Sequence, residues 1–115
     1  MEIKQGDIVL CEFYFTDQNR SKKRPVMVLK DNLPFDDFIA IPISSKIEKL
    51  FEDEIIVDNS DFQNGAIPKK SKIIIRKTFV VSKKSIQKKY ATLKNESFDN
   101  CFKCFCEYFS CNKNR

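Results

Sequence analysis

The 115-residue chain contains no histidine. That absence removes the side chain most used as a general acid or base near neutral pH. It also removes Ser-His and Cys-His nucleophile pairs and every His-containing metal site. Catalysis by this chain has to run on Arg, Lys, carboxylates, hydroxyls or thiols, which excludes most hydrolase mechanisms. Long hydrophobic runs are missing as well. No window approaches the roughly 18 consecutive apolar residues of a membrane span. The opening "MEIKQGDIVL" is charged early and lacks the apolar core of a signal peptide. A cytoplasmic location, away from membranes and with reduced cysteines, is therefore expected. Repeats, low-complexity linkers and composition breaks are also absent, so one domain over residues 1–115 is expected.

What remains is an ordinary globular composition, 42% hydrophobic and 32% charged, which argues against disorder. Twenty-one Lys and Arg against 16 Asp and Glu leave a net charge of +5, which admits a polyanionic partner without requiring one. Short Ile-, Val- and Phe-rich runs alternate with polar turns, a strand-dominated pattern. Strands are expected at 7–15, 25–31, 38–44, 54–58 and 71–81, the last bending or splitting near Arg76. Turns are expected at 16–19, 31–37 and 64–65, the last followed by Pro68. A short helix is expected to start at Ser82 and a longer one to close the chain. About five strands in a small barrel or strongly bent sheet, with a closing helix, follow from this reading.

The C-terminal segment "NESFDNCFKCFCEYFSCNKNR" holds four of the five cysteines. At about 3.6 residues per turn, Phe98, Phe102, Phe105 and Phe109 form one narrow core-facing stripe, with Ser97 as N-cap. Cys101 and Cys106 flank that stripe on opposite sides, and Cys104 and Cys111 turn further away. One helix cannot aim all four at a tetrahedral ion, so structural thiols are preferred to a metal or redox site. Cys11, in the first strand, reads as a small core residue.

The densest local charge is "RSKKRPVMVL" (20–29). A solvated loop accounts for Arg20, Lys22 and Lys23. Arg24 precedes a proline, which holds it extended at the entry to a strand, and Pro25 suits a strand start or edge. A rigidly held guanidinium can engage two phosphate oxygens at once; a surface salt bridge to Asp17 or another carboxylate is the alternative. In "AIPISSK" (40–46), Pro42 suggests an edge or bulged strand from whose end Ser44, Ser45 and Lys46 emerge. Hydroxyls and a cation there make a phosphate cradle, or simply a strand-to-loop exit.

Taken in order, "GDIVLCEFYFTD" (6–17), "KKRPVMVLKD" (22–31), "AIPISS" (40–45) and "NGAIPKKSKIIIRKTFVVSKKSI" (64–86) resemble the PemK/MazF family of bacterial toxins from toxin–antitoxin pairs. The Arg-Pro-hydrophobic strand is the most telling of the four motifs. The resemblance implies a mainly β fold, a small SH3-like barrel of about five to seven strands with a C-terminal helix, usually a homodimer. It implies an endoribonuclease that cuts single-stranded RNA without a metal or other cofactor, leaving 2′,3′-cyclic phosphate and 5′-hydroxyl ends. A small antitoxin protein is the implied partner. Arg24 falls on the family's catalytic arginine and Ser44 on its catalytic threonine. Asn19, Lys22, Lys23, Ser45, Lys46 and Arg76 are the residues expected to contact RNA. The sequence departs from the family in two places. The loop "TDQNRSKK" offers no Glu, and Ile74 with Arg76 replace an Arg-x-Asp pair, which leaves the proton acceptor unassigned. A non-catalytic RNA- or antitoxin-binding module on the same barrel is the alternative; the related gyrase-poisoning toxins fit the Arg-Pro strand less well.

Overall fold

Two strands, β1 (Asp7–Phe15) and β2 (Arg20–Leu33), form a long antiparallel hairpin paired from Ile8↔Met27 to Phe15↔Arg20. They are the centre of the computed structural model, which describes residues 2–15, 17 and 19–111. The chain continues through β3 (Asp37–Ser44), β4 (Glu54–Val57), β5 (Phe62–Gly65), β6 (Ser71–Ile74), β7 (Phe79–Ser82) and β8 (Ile86–Leu93) to helix α1 (Asn95–Tyr108). The sheet order is β4-β6-β3-β2-β1-β8-β5, with β7 also on β3, giving a curled half-barrel. No helix among the described residues is long and apolar enough to cross a membrane.

The curl explains why the central strands read as continuous apolar runs rather than alternating ones. Ile8, Met27, Ile41 and Ile43 face one core with Ile73, Leu93 and Cys101. Val9, Cys11, Val26, Val28, Phe38 and Ala40 face a second, closed by Val81 and the half-buried Phe13, Phe79 and Ile86. Alternate residues enter opposite cores, so both faces demand apolar side chains. Cys11 is a fully buried core residue, as expected.

The expected break near Arg76 is a 3-10 turn at Ile75–Lys77 separating β6 from β7. Other expectations need correction. Strand β2 begins five residues before Pro25, so Arg20, Lys22 and Lys23 belong to a strand opposite Phe15, Phe13 and Glu12. Pro25 lies inside that strand, opposite Leu10. The last β2–β3 pair is Val26↔Pro42, after which β3 pairs with β6 through Ile43↔Ile73. Both prolines thus sit where two strands part, and the missing N–H groups fall at the ladder's end. Only a 3-10 turn, Lys83–Ser85, follows Ser82, and β8 was outside the expected strands. The "NG" at 64–65 ends β5 rather than forming a turn. The turn expected at 16–19 includes Thr16 and Gln18, which lie outside the described residues.

Helix α1 also differs in detail. Its N-cap position is Lys94, and Ser97 sits inside the first turn with Oγ donating to Asp61 at 3.0 Å. The four phenylalanines do form a ladder, with neighbouring ring centroids 6.2, 6.4 and 4.8 Å apart. Only Phe98 and Phe105 pack on the core, alongside buried Cys101; Phe102 and Phe109 are exposed. The stripe is therefore rotated, its covered side centred on Cys101. Burial pushes the Cys101 thiol up to about 12.

A cationic cavity at the strand ends

Strand β2 changes character at Pro25. Val26 to Leu29 are buried, whereas Arg20 to Arg24 project beyond the cores on an arm shared with the end of β1. Arg24 is the last residue of that arm, extended opposite Cys11, with an exposed side chain. Strand β3 ends beside it after leaving β2 and delivers Ser44, Ser45 and Lys46. The segment from Ile67 to Ser71 and Tyr90 of β8 complete an open cavity of about 330 Å³.

Four cations line this cavity: Lys23, Arg24, Lys46 and Lys69. Three serines join them, Ser44, Ser45 and Ser71, and among the described residues no carboxylate does. The Arg24 side chain has no salt bridge or hydrogen bond to any described residue, so the alternative pairing with Asp17 is not made. Ser44 Oγ accepts the Lys46 N–H at 3.2 Å, which fixes the oxygen and leaves its own hydrogen to donate elsewhere. Ser71 Oγ donates to the Lys69 carbonyl at 2.9 Å, ordering the opposite wall. A cluster of uncompensated cations with hydroxyl donors favours an anion.

A larger cavity of about 840 Å³ is less selective, because its lining mixes Asp7, Asp31 and Asp36 with Lys83, Lys84 and Lys89. Several of these charges already pair, Lys89 with Asp7 at 3.4 Å and Lys83 with Asp36 at 3.9 Å.

The expected site residues divide accordingly. Lys23, Arg24, Ser44, Ser45 and Lys46 come together at the cationic cavity. Asn19 and Lys22 lie outside its lining, on the arm. Asn19 Oδ1 accepts the Tyr14 hydroxyl at 2.8 Å, and Lys22 Nζ stands 5.6 Å from the Phe15 ring centroid. Arg76 is elsewhere and engaged: its Nη1 donates to Asp53 at 2.8 Å and Glu54 at 2.9 Å. Its guanidinium also lies 5.4 Å from the Phe51 ring centroid. Glu54, buried, additionally accepts from Lys72 at 2.8 Å. The Lys72 hydrogen bond, aided by the Phe51 N–H and Arg76, holds the Glu54 carboxyl down at about 2. Glu54, in turn, pushes the Arg76 guanidinium up, with help from Asp53.

Lys69 and Tyr90 were not anticipated at the site. Pro68 and Ser71 around Lys69 carried a signal in the quoted 64–86 stretch. Tyr90 carried none, because β8 alternates weakly and places three consecutive polar residues, Gln87 to Lys89, just before it.

Comparison with known proteins bears on the fold and the family. The family model of the PemK-like, MazF-like toxin of type II toxin–antitoxin systems matches residues 4–109. No curated protein sequence matches significantly. Among solved structures, a mycobacterial endoribonuclease in complex with its cognate antitoxin is similar at TM-score 0.75 and 9% identity, covering 98% of this chain and 100% of that one. The Mycobacterium tuberculosis toxin MazF-mt6 is similar at TM-score 0.67 and 17% identity, with 90% and 96% covered. A MazE–MazF structure from Deinococcus radiodurans gives 0.71 and 13%, with 95% and 96% covered. At such identities the likeness is one of fold. The family match spans nearly the whole chain, cationic cavity included, and on that ground the chain belongs to the PemK-like, MazF-like toxins of type II toxin–antitoxin systems.

Proposed function

We propose that the chain is an endoribonuclease toxin that cleaves single-stranded RNA in the cationic cavity. The observation that carries this reading is the guanidinium of Arg24, without a carboxylate partner among the described residues, held on a strand beside Ser44. Family membership supports it, since the toxins of this family are RNases.

In this reading the nucleophile is the RNA's own 2′-hydroxyl. It attacks the adjacent phosphorus, the 5′-oxygen of the next nucleotide leaves, and the products are a 2′,3′-cyclic phosphate and a 5′-hydroxyl. No metal ion takes part. The protein positions the phosphate and stabilises the charge that builds on its non-bridging oxygens. Arg24 supplies the planar two-donor contact, and a guanidinium pKa above about 12 makes it an electrostatic stabiliser rather than a free base. Ser44 donates its hydroxyl hydrogen to the same phosphate. Ser45, Lys46, Lys23 and Lys69 hold its flanks, and Lys22 and Asn19 on the arm meet RNA further along. Arg76 is left out, because it stands outside the cavity with its Nη1 committed to Asp53 and Glu54.

The working form is a cytoplasmic homodimer neutralised by a small antitoxin that competes for the cationic cavity. A mycobacterial endoribonuclease of the same fold has been captured with its cognate antitoxin. An acidic disordered segment is the partner chemistry that four cations without a carboxylate attract.

The test is purified protein incubated with long single-stranded RNA in EDTA, beside Arg24→Ala. Discrete fragments with cyclic phosphate ends, lost in the variant, are expected. Intact RNA from folded wild-type protein, on several substrates, would instead leave a binding module without cleavage.

A further inference from the structure

The C-terminal end of α1 is closed by two backbone hydrogen bonds. Ser110 N–H donates to the Glu107 carbonyl at 3.2 Å, and Cys111 N–H donates to the Cys106 carbonyl at 2.9 Å. Ser110 has φ 55°, in the left-handed region. This is the Schellman arrangement, in which a left-handed residue folds the next one back onto the helix residue five positions earlier. An apolar contact frequently joins those two positions. Here both positions are cysteines, brought together by the backbone bond between them. The contact with Cys111 is also the main reason the Cys106 thiol is pushed up.

The remaining cysteines are placed differently. Cys11 and Cys101 are buried in the cores, and Cys104 is half-buried on the helix three residues after Cys101. Cys106 is half-buried and Cys111 exposed, so an oxidant in solution meets Cys111 first, with Cys106 joined to it through the cap's backbone bond.

We propose that Cys106 and Cys111 form a reversible disulfide across this helix cap, with a small-molecule disulfide such as oxidised glutathione as electron acceptor. Cys111, as thiolate after losing its proton to water, attacks one sulfur of the acceptor and releases the first glutathione thiolate. A mixed disulfide on Cys111 results. Cys106, deprotonated in turn, attacks Cys111 Sγ, closes the protein disulfide and releases the second glutathione thiolate. Two protein thiols are oxidised and one glutathione disulfide is reduced to two thiols. The cap supplies the proximity that makes the second step intramolecular. The closed loop ties the last turn of α1, where Tyr108 borders the Arg76 cavity.

The test exposes the full-length folded protein to oxidised glutathione, blocks free thiols with an alkylating agent under denaturing conditions, and reads the mass. A product lighter by two hydrogens, with two fewer alkyl groups and restored by dithiothreitol, is expected. Fragmentation should place the bond between Cys106 and Cys111 and leave Cys104 alkylated. Cys104→Ser should keep the bond, and Cys106→Ser should stop at a stable glutathione adduct on Cys111. Ser110→Val disfavours the left-handed position on the surface, without entering the core, and should slow closure by about tenfold. Complete alkylation of all five cysteines, a bond that uses Cys104, or closure equally fast in Ser110→Val would overturn the proposal.

Discussion

Ser44 Oγ accepts the backbone N–H of Lys46 at 3.2 Å, so the hydroxyl is held by the turn it terminates while its hydrogen remains available. Removing the oxygen should therefore act on cleavage more than on folding. Ser44→Ala is expected to slow RNA cleavage by about 10²-fold, the usual effect of losing one donor to a developing oxyanion. Ser44→Thr keeps the oxygen and should stay within about tenfold of wild type. Single-turnover rates on one RNA, with thermal melts to verify folding, give the comparison. A wild-type rate for Ser44→Ala removes this hydroxyl from the reaction.

Arg76 should behave in the opposite way. Its donors bridge two carboxylates with side chains only 3% and 1% exposed, and it stands outside the cationic cavity. Arg76→Ala leaves Asp53 and Glu54 short of a partner, so the melting temperature should fall by several degrees. Cleavage by the protein that remains folded should change by no more than a few-fold. A large loss of rate at unchanged stability would return Arg76 to the RNA surface.

The same network sets an acid limit on stability. The Glu54 carboxyl lies at about 2 in the folded chain against a usual 4.5, first because Lys72 donates to it. Unfolded chain then binds a proton more readily than folded chain between those two values, so stability falls as pH drops through that window. Above pH 4.5 the contribution is complete and flat. Asp58, lowered by the Ser60 hydroxyl and backbone N–H, adds in the same direction. Urea midpoints measured from pH 7 to pH 2 should fall below pH 4.5, and Glu54→Gln should be less stable at pH 7 but visibly flatter below 4.5. Parallel curves for the two proteins would mean that Glu54 is not the titrating group.

Particular residues show what could be read in the sequence and what could not. Strand β1 and the buried half of β2 were legible because alternate residues of both strands enter cores, leaving uninterrupted apolar runs. Arg24 and the segment of Ser44, Ser45 and Lys46 were legible as two separate strand-end sites beside prolines, which only the family resemblance joined and which the cavity brings together. Strand β8 was not, since "IQKKYATL" carries exposed Gln87, Lys88 and Lys89 at consecutive positions and breaks the two-residue period. Its register with β1 slips twice, after Ile8 and after Leu10, which is how those residues fit. The carboxylate pairing of Arg76 was hidden for a related reason. Its carboxylate partners lie 22 and 23 residues earlier, and local spacing says nothing of them. Likewise, the phenylalanine stripe has the correct period, but which side of it is covered depends on the sheet beneath.

Gly65 provides the sharpest test of the β5–β8 pairing that the sequence left unannounced. It ends β5 at φ +78° opposite Ala91, and a Cβ added there would lie 2.2 Å from the Tyr90 carbonyl oxygen and 2.6 Å from Ala91 Cα. Those are backbone atoms of β8, which cannot swing aside as a side chain can. Gly6 is a useful control. Its φ is +89°, but an added Cβ would meet Phe98 Cδ1 at 3.5 Å, an ordinary contact. Gly6→Ala should therefore cost only the left-handed backbone penalty, about 1–2 kcal/mol. Gly65→Ala adds an overlap of about 1–3 kcal/mol to the same penalty. Denaturant midpoints should rank wild type above Gly6→Ala and Gly6→Ala above Gly65→Ala. Because Ala91 adjoins Tyr90, displacement of β8 in Gly65→Ala should also weaken RNA binding at the cavity, whereas Gly6→Ala should leave it unchanged. Equal midpoints for the two alanine variants would show that β5 does not approach β8 this closely in solution.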